Sequence, residues 1–184
     1  MAHVDQRPGI RPRVSLSRRL DVFARFSFPA SVTIVLMLLT QAPLDIVEQA
    51  ALLPAVALCC VWFWSLFRPD ALPPPLVFLI GVLLDLWGYL PLGVGVFTLL
   101  MVHGAALMLR GPLSRRGFGW IWIVFGGVAT AAALLIWILV MLLTFRLLSP
   151  NPAIFIAMLT ISIYPVLAIP FAGADRSIGN PERA

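Results

Sequence analysis

Lysine is absent from the 184 residues, and charge of any kind is scarce: 13 arginines face 8 acids. Cysteine occurs only as the adjacent pair Cys59 and Cys60 inside an apolar run, which excludes a disulfide framework and favours two small packing residues over a redox pair. Histidine occurs twice, as His3 and His103. No HExxH, GxSxG or P-loop run is present, and acids, histidines and cysteines do not cluster. A metal site or a catalytic dyad would be hard to assemble from so little, so the expectation is a non-catalytic protein with no cofactor.

What fills the chain instead is apolar. Hydrophobic residues make up 61% and the mean hydropathy is +1.00, against roughly 45–50% apolar in soluble domains. The formal charge of +5 is wholly arginine. On such a chain that excess sets orientation and lipid-headgroup contact rather than nucleic-acid binding.

Five apolar blocks stand out, at 26–40, 50–67, 76–109, 120–145 and 153–171. The third is too long for one crossing. As one helix it would span about 51 Å at ~1.5 Å per residue, against about 30 Å of hydrocarbon. Its middle, Gly88-Tyr89-Leu90-Pro91-Leu92-Gly93, has the composition of a turn. The expectation is two short helices, 76–89 and 92–109, forming a hairpin that crosses twice or re-enters.

Arginine placement selects the topology. With a cytoplasmic amino terminus and a double crossing, Arg7, Arg11, Arg13, Arg18, Arg19, Arg25, Arg68, Arg110, Arg115, Arg116, Arg176 and Arg183 lie inside and only Arg146 outside. A single crossing would leave 8 inside and 5 outside. Positive loops stay cytoplasmic. The predicted fold is therefore all-α and polytopic, with six transmembrane helices and both termini inside. It comprises a basic tail at 1–25, a membrane domain at 26–171 and a second tail at 172–184. Leu16, Leu20, Phe23 and Ser27 share one face opposite Arg18, Asp21 and Arg25, as an interfacial helix would require; a disordered basic tail that only sets orientation is the preferred reading. Trp62, Trp64, Trp120 and Trp122 fall near the inner interface, where amphipathic rings settle. Tyr164-Pro165 should kink the sixth helix and Pro170 end it.

Asp85 is the only acid deep within an apolar block. At 3.6 residues per turn it shares a face with Gly81 and Gly88, where a neighbouring helix can approach closely. His103 is the one histidine in a crossing and the candidate partner, giving either a proton relay or, preferably, a polar clasp between helices. Gly126, Gly127 and Thr130 provide small-residue spacing on the fifth helix and a further packing face.

The stretch from Phe78 to Gly93 resembles the signature of the MreD family, in which a glycine, an aspartate four residues later and a Leu-Gly after a short turn form the core. Gly81, Asp85, Leu92 and Gly93 match it. The resemblance implies a bacterial inner-membrane subunit of the rod-shape, or elongation, machinery. Its implied partners are an MreC-like bitopic protein, with MreB, RodZ, RodA and the penicillin-binding transpeptidase nearby. The implied role is to help assemble and regulate side-wall peptidoglycan synthesis. The family's fold also resembles the substrate-binding subunits of energy-coupling-factor transporters, so a small-molecule-binding transport subunit is the alternative. Such subunits usually carry Ala-xxx-Ala in the first helix, whereas here Ala30 is followed four residues later by Ile34. An intramembrane enzyme acting on lipid-linked precursors is the third possibility, with Asp85 its only plausible acid.

Overall fold

The computed structural model describes residues 16–42, 49–113 and 116–179, with side chains between 27 and 174. Among these residues there are six α-helices and no strand. They are α1 (Leu16–Leu39), α2 (Leu52–Phe67), α3 (Pro74–Trp87), α4 (Val94–Leu113), α5 (Phe118–Thr144) and α6 (Asn151–Gly179). Together with the 3-10 turn at Gln49–Ala51, α2 forms one of four helices long and apolar enough to cross a membrane; Val94–Leu113, Phe118–Thr144 and Asn151–Ala174 are the others. The chain is built as a helical membrane protein.

The long third block divides as expected, though α4 runs on to Leu113 through Gly111-Pro112. Proline starts α3, where a missing N–H costs nothing: Pro73 is extended and Pro74 and Pro75 enter the first turn. The hairpin joining α3 and α4 follows the same helix-starting and turn-forming residues visible in the sequence. All side chains of the basic segment 1–25, and its two-faced pattern with them, lie outside the described side chains. The backbone is already helical at Leu16 and continues unbroken to Leu39. At the other end the α6 helix continues to Gly179.

The bundle is organised around α2, whose residues from Leu53 to Leu66 are all buried. It packs against α1, α3, α4 and α6, while α3 pairs with α4 and α5 with α6. This corrects the interfacial placement of Trp62 and Trp64. Both indoles are fully buried, Trp62 against Phe125 and Trp64 against Phe28, Phe63 and Phe171. An all-round apolar helix goes to the centre of a bundle, and its large rings fill the space between neighbours. Trp120 and Trp122, on the one-sided helix α5, remain exposed.

Pro170 does not end α6, which passes through its two interior prolines, Pro165 and Pro170. Each proline removes a single backbone donor, and a membrane helix tolerates that where another group takes its place. At Pro165 the substitute is visible. The carbonyl of Ile161, four residues earlier, accepts a hydrogen bond from the Trp122 indole Nε1 at 3.0 Å. Gly126, one turn along α5, brings that helix close enough: a Cβ there would sit 3.7 Å from the Ile161 side chain.

Replacing Trp122 with phenylalanine should therefore leave the Ile161 carbonyl unpaired and cost about 1–3 kcal/mol, read as a lower melting temperature in detergent. Pro165→Ala restores the backbone N–H, so the loss caused by Trp122→Phe should shrink in the P165A background. Equal losses in both backgrounds would refute the substitution of one donor for the other.

Candidate functional site

Of the residues singled out in the sequence, Gly81, Asp85, Gly88 and Gly93 meet at the turn between α3 and α4. α3 closes with the 6→1 bond of a Schellman turn, the Leu90 N–H donating to the Asp85 carbonyl at 3.1 Å, just after the last α-helical bond, from the Gly88 N–H to the Leu84 carbonyl at 2.8 Å. The left-handed residue this geometry requires is Tyr89, at φ 52°, and not Gly88, whose φ is −83°. Tyr89 is 95% exposed, so its ring points clear of the bundle. Gly88 serves packing instead: a Cβ there would lie 2.7 Å from the Leu84 carbonyl oxygen and 3.5 Å from Leu53 of α2.

Asp85 also opens the next helix. Its side chain is 1% exposed. Oδ1 accepts from the Gly95 N–H at 2.6 Å, and Oδ2 from the Gly93 N–H at 2.8 Å and the Val96 N–H at 3.5 Å. The first amides of a helix have no intrahelical acceptor, and the side chain just before the helix usually supplies one. Here that position is Gly93, which has no side chain and is held at φ 101°. Asp85 supplies the missing cap from the preceding helix, and a carboxylate at a helix start also interacts favourably with the helix dipole.

Two glycines make that reach possible. A Cβ on Gly95 would stand 2.6 Å from Asp85 Oδ1, and one on Gly81 would stand 2.5 Å from the Val96 Cα. The two helices therefore cross with Gly81 against Val96 and Asp85 against Gly95. Leu92, grouped with these residues in the sequence, is 73% exposed and packs no helix. The glycine and aspartate positions thus form one interlock, and Leu92 lies outside it.

His103 does not join it, which corrects the expected clasp with Asp85. In the hairpin Asp85 lies level with Gly95, and His103 is eight residues further along α4, about 12 Å away at ~1.5 Å per residue. His103 Nδ1 instead shares a 2.7 Å hydrogen bond with Ser65 Oγ of α2, both groups being buried. Nε2 has no hydrogen-bond partner among the described residues, so no protein group there extends the pair into a relay. Sequence reasoning misses Ser65, for which a lone serine in a long apolar helix is the only signal.

The spacing on α5 is split between two faces. Gly126 faces Ile161 of α6, whereas a Cβ on Gly127 would meet nothing within 4 Å. Thr130 is exposed, and its hydroxyl donates to the Gly126 carbonyl at 2.8 Å. Gly127 and Thr130 therefore lie on the open face of the helix. A cavity of about 340 Å³ sits beside the α3–α4 turn, lined by Ala50, Pro54, Gly88, Leu90, Ile136 and Ile156 among others. None of these side chains can form a hydrogen bond. Among the described residues no three His, Cys, Asp or Glu side chains converge.

No protein-family model matches the chain, and neither a curated protein nor a solved structure does.

Losing the carboxylate should be costly. Asp85→Leu strands three amides and is expected to lower stability in detergent by about 3 kcal/mol or more, from ~1–3 kcal/mol for each buried unpaired amide. Asp85→Asn keeps one acceptor oxygen and should lose less. A melting temperature that does not change in Asp85→Leu would contradict the cap. Gly81→Ala should separate α3 from α4 and destabilise the hairpin. Gly104→Ala, where nothing lies within 4 Å, should be neutral or stabilising by up to about 1 kcal/mol.

Proposed function

We propose that this protein is a non-catalytic subunit of the bacterial rod-shape complex, of the MreD type, lying in the inner membrane. It would cross six times with both ends in the cytoplasm and hold partner membrane proteins, an MreC-like bitopic protein first among them, by helix–helix contact. The observation that carries this reading is the agreement between motif and geometry. Three of the four residues that resemble the family's signature, Gly81, Asp85 and Gly93, build one interlock that shapes the α3–α4 hairpin. A motif whose residues mostly face one another serves shape more readily than chemistry. Asp85 spends its acceptors on backbone amides, and His103 is paired elsewhere.

Since the motif is turned inward, docking falls to the faces left open, and the Gly127–Thr130 side of α5 is the natural one: small residues there let a partner helix approach closely. In a pull-down from detergent with mass spectrometry, an MreC-like protein should co-purify with the wild type. Gly127→Leu should weaken recovery without lowering the melting temperature, and cells carrying it should lose rod shape. Recovery of no elongation-machinery protein would overturn the reading.

The cavity beside the turn favours one second reading, a small-molecule-binding subunit of a transporter. Its lining suits an apolar guest and offers no side-chain hydrogen bond to a polar one. A thermal-shift screen with vitamins and metal ions tests it; a specific stabilising ligand would replace the scaffold reading.

The topology has its own test. Cys59 and Cys60 are buried, so a cysteine introduced by Tyr89→Cys should be the main site labelled by a membrane-impermeant maleimide added to intact spheroplasts. Labelling only after lysis would place that turn inside and reverse the orientation.

A further inference from the structure

The end of α5 departs from the rest of the bundle. No residue from 137 to 152 is buried. The Trp137 indole Nε1 donates to the carbonyls of Leu148 and Ser149, at 3.3 and 3.2 Å, so the chain between them forms a lobe that leaves the level of Trp137 and returns to it. One residue before Trp137, Ile136 still lines the cavity shared with α2 and the α3–α4 turn. The lobe therefore stands beyond the neighbouring helices, and its side chains are almost all apolar.

Arg146 at its tip is the only charged residue between positions 117 and 174. It has no hydrogen-bond or ion-pair partner among the described residues. Phe145 ends α5 in the left-handed region, at φ 52° and ψ 33°, a conformation that a bulky residue rarely adopts. That bend turns Phe145 and Arg146 away from the helix axis. Between them and the last turns of α5 lies a shallow groove of about 350 Å³, lined by Ile138, Met141, Leu142, Phe145, Arg146 and Leu147.

We propose that this groove binds a membrane phospholipid, with Arg146 on the headgroup phosphate and the Ile138, Leu142 and Leu147 side chains along the upper part of an acyl chain. The chemistry is amphipathic in the same sense as the ligand: one planar guanidinium, able to make paired bonds to phosphate oxygens, above walls that cannot form hydrogen bonds. A free phosphate ion would gain nothing from those walls. A protein helix would leave the guanidinium without an anion unless it brought its own. An anionic headgroup is preferred to a zwitterionic one, whose own ammonium competes for the phosphate. The site lies about 40 Å along α5 from Arg116, at ~1.5 Å per residue, and away from the Gly81–Asp85 interlock. It stands whether or not the scaffold reading does.

The test uses the full chain in phosphatidylcholine vesicles doped with phosphatidylglycerol, or with phosphatidylcholine, carrying a photoactivatable diazirine in the acyl chain. After irradiation and peptide mapping, the phosphatidylglycerol probe should label 138–147 more than the phosphatidylcholine probe does. Labelling should fall about fivefold in Arg146→Gln, the order expected for one arginine at a charged lipid surface, and be largely kept in Arg146→Lys. Arg110→Gln, at the opposite end, should leave it unchanged. Equal labelling by the two probes with no effect of R146Q would overturn the proposal. So would competition by millimolar glycerol phosphate, which would make the ligand a free anion, or cross-linking of 138–147 to protein instead of lipid in native membranes. An unchanged melting temperature for R146Q separates a lost lipid from a lost fold.

Discussion

One carboxylate carries the hairpin. A helix that begins against the buried face of its neighbour has amides that water cannot reach, and each one left unpaired costs free energy comparable to a lost hydrogen bond. α3, with 14 residues, is only about 21 Å long, shorter than the ~30 Å hydrocarbon layer. The start of α4 is packed closely against α3, so its buried amides need acceptors from the protein. Asp85 meets that need twice, ending α3 with its backbone carbonyl and starting α4 with its side chain. The close crossing at Gly81 and Gly95 lets this short side chain reach.

The same rule explains a feature far from the hairpin. Pro165 withholds a donor from Ile161, and Trp122 of the neighbouring helix supplies one. In both places a backbone group left over by local structure is paired by a side chain from another helix. Ser65 and His103 pair side chain to side chain between α2 and α4. Polar residues are few in this bundle, and these each join two helices, which is the use that favours keeping them in an apolar interior.

That economy bears on function. Asp85 and the Ser65–His103 pair are occupied with backbone or with each other, while the Trp62 and Trp64 indole N–H groups, His103 Nε2 and the Tyr164 hydroxyl are buried without a hydrogen-bond partner among the described residues. With Asp85 so engaged, the interlock is better suited to holding a shape than to turning over a substrate. What remains available is the outside: the open face of α5, the cavity beside the turn and the lobe that ends in Arg146. A scaffold reading uses the first of these, a transport reading the second, and lipid contact the third. Each occupies a different surface, and of the three only the cavity borders the α3–α4 turn.

The helices themselves are legible in the order of residues along the chain. Apolar length, the prolines at 73–75 and the turn composition at 88–93 locate α3 and α4 to within a few residues, because these signals act through the local backbone and need no neighbour. The face shared by Gly81, Asp85 and Gly88 is legible for the same reason, since it follows from helical periodicity alone. Which group Asp85 meets is not. Periodicity says which way a side chain points and nothing about the level at which two helices stand. At the observed level the carboxylate meets the amides of Gly93 and Gly95, while His103 lies about two turns deeper, beside Ser65. The burial of Trp62 and Trp64 belongs to the same class. A helix apolar on every side announces that it is central, but only packing against α1, α5 and α6 decides that its tryptophans fill the core instead of marking an interface. Tyr89 stands in the left-handed position, where composition favours glycine, between the backbone hydrogen bonds of Gly88 and Leu90 that close α3.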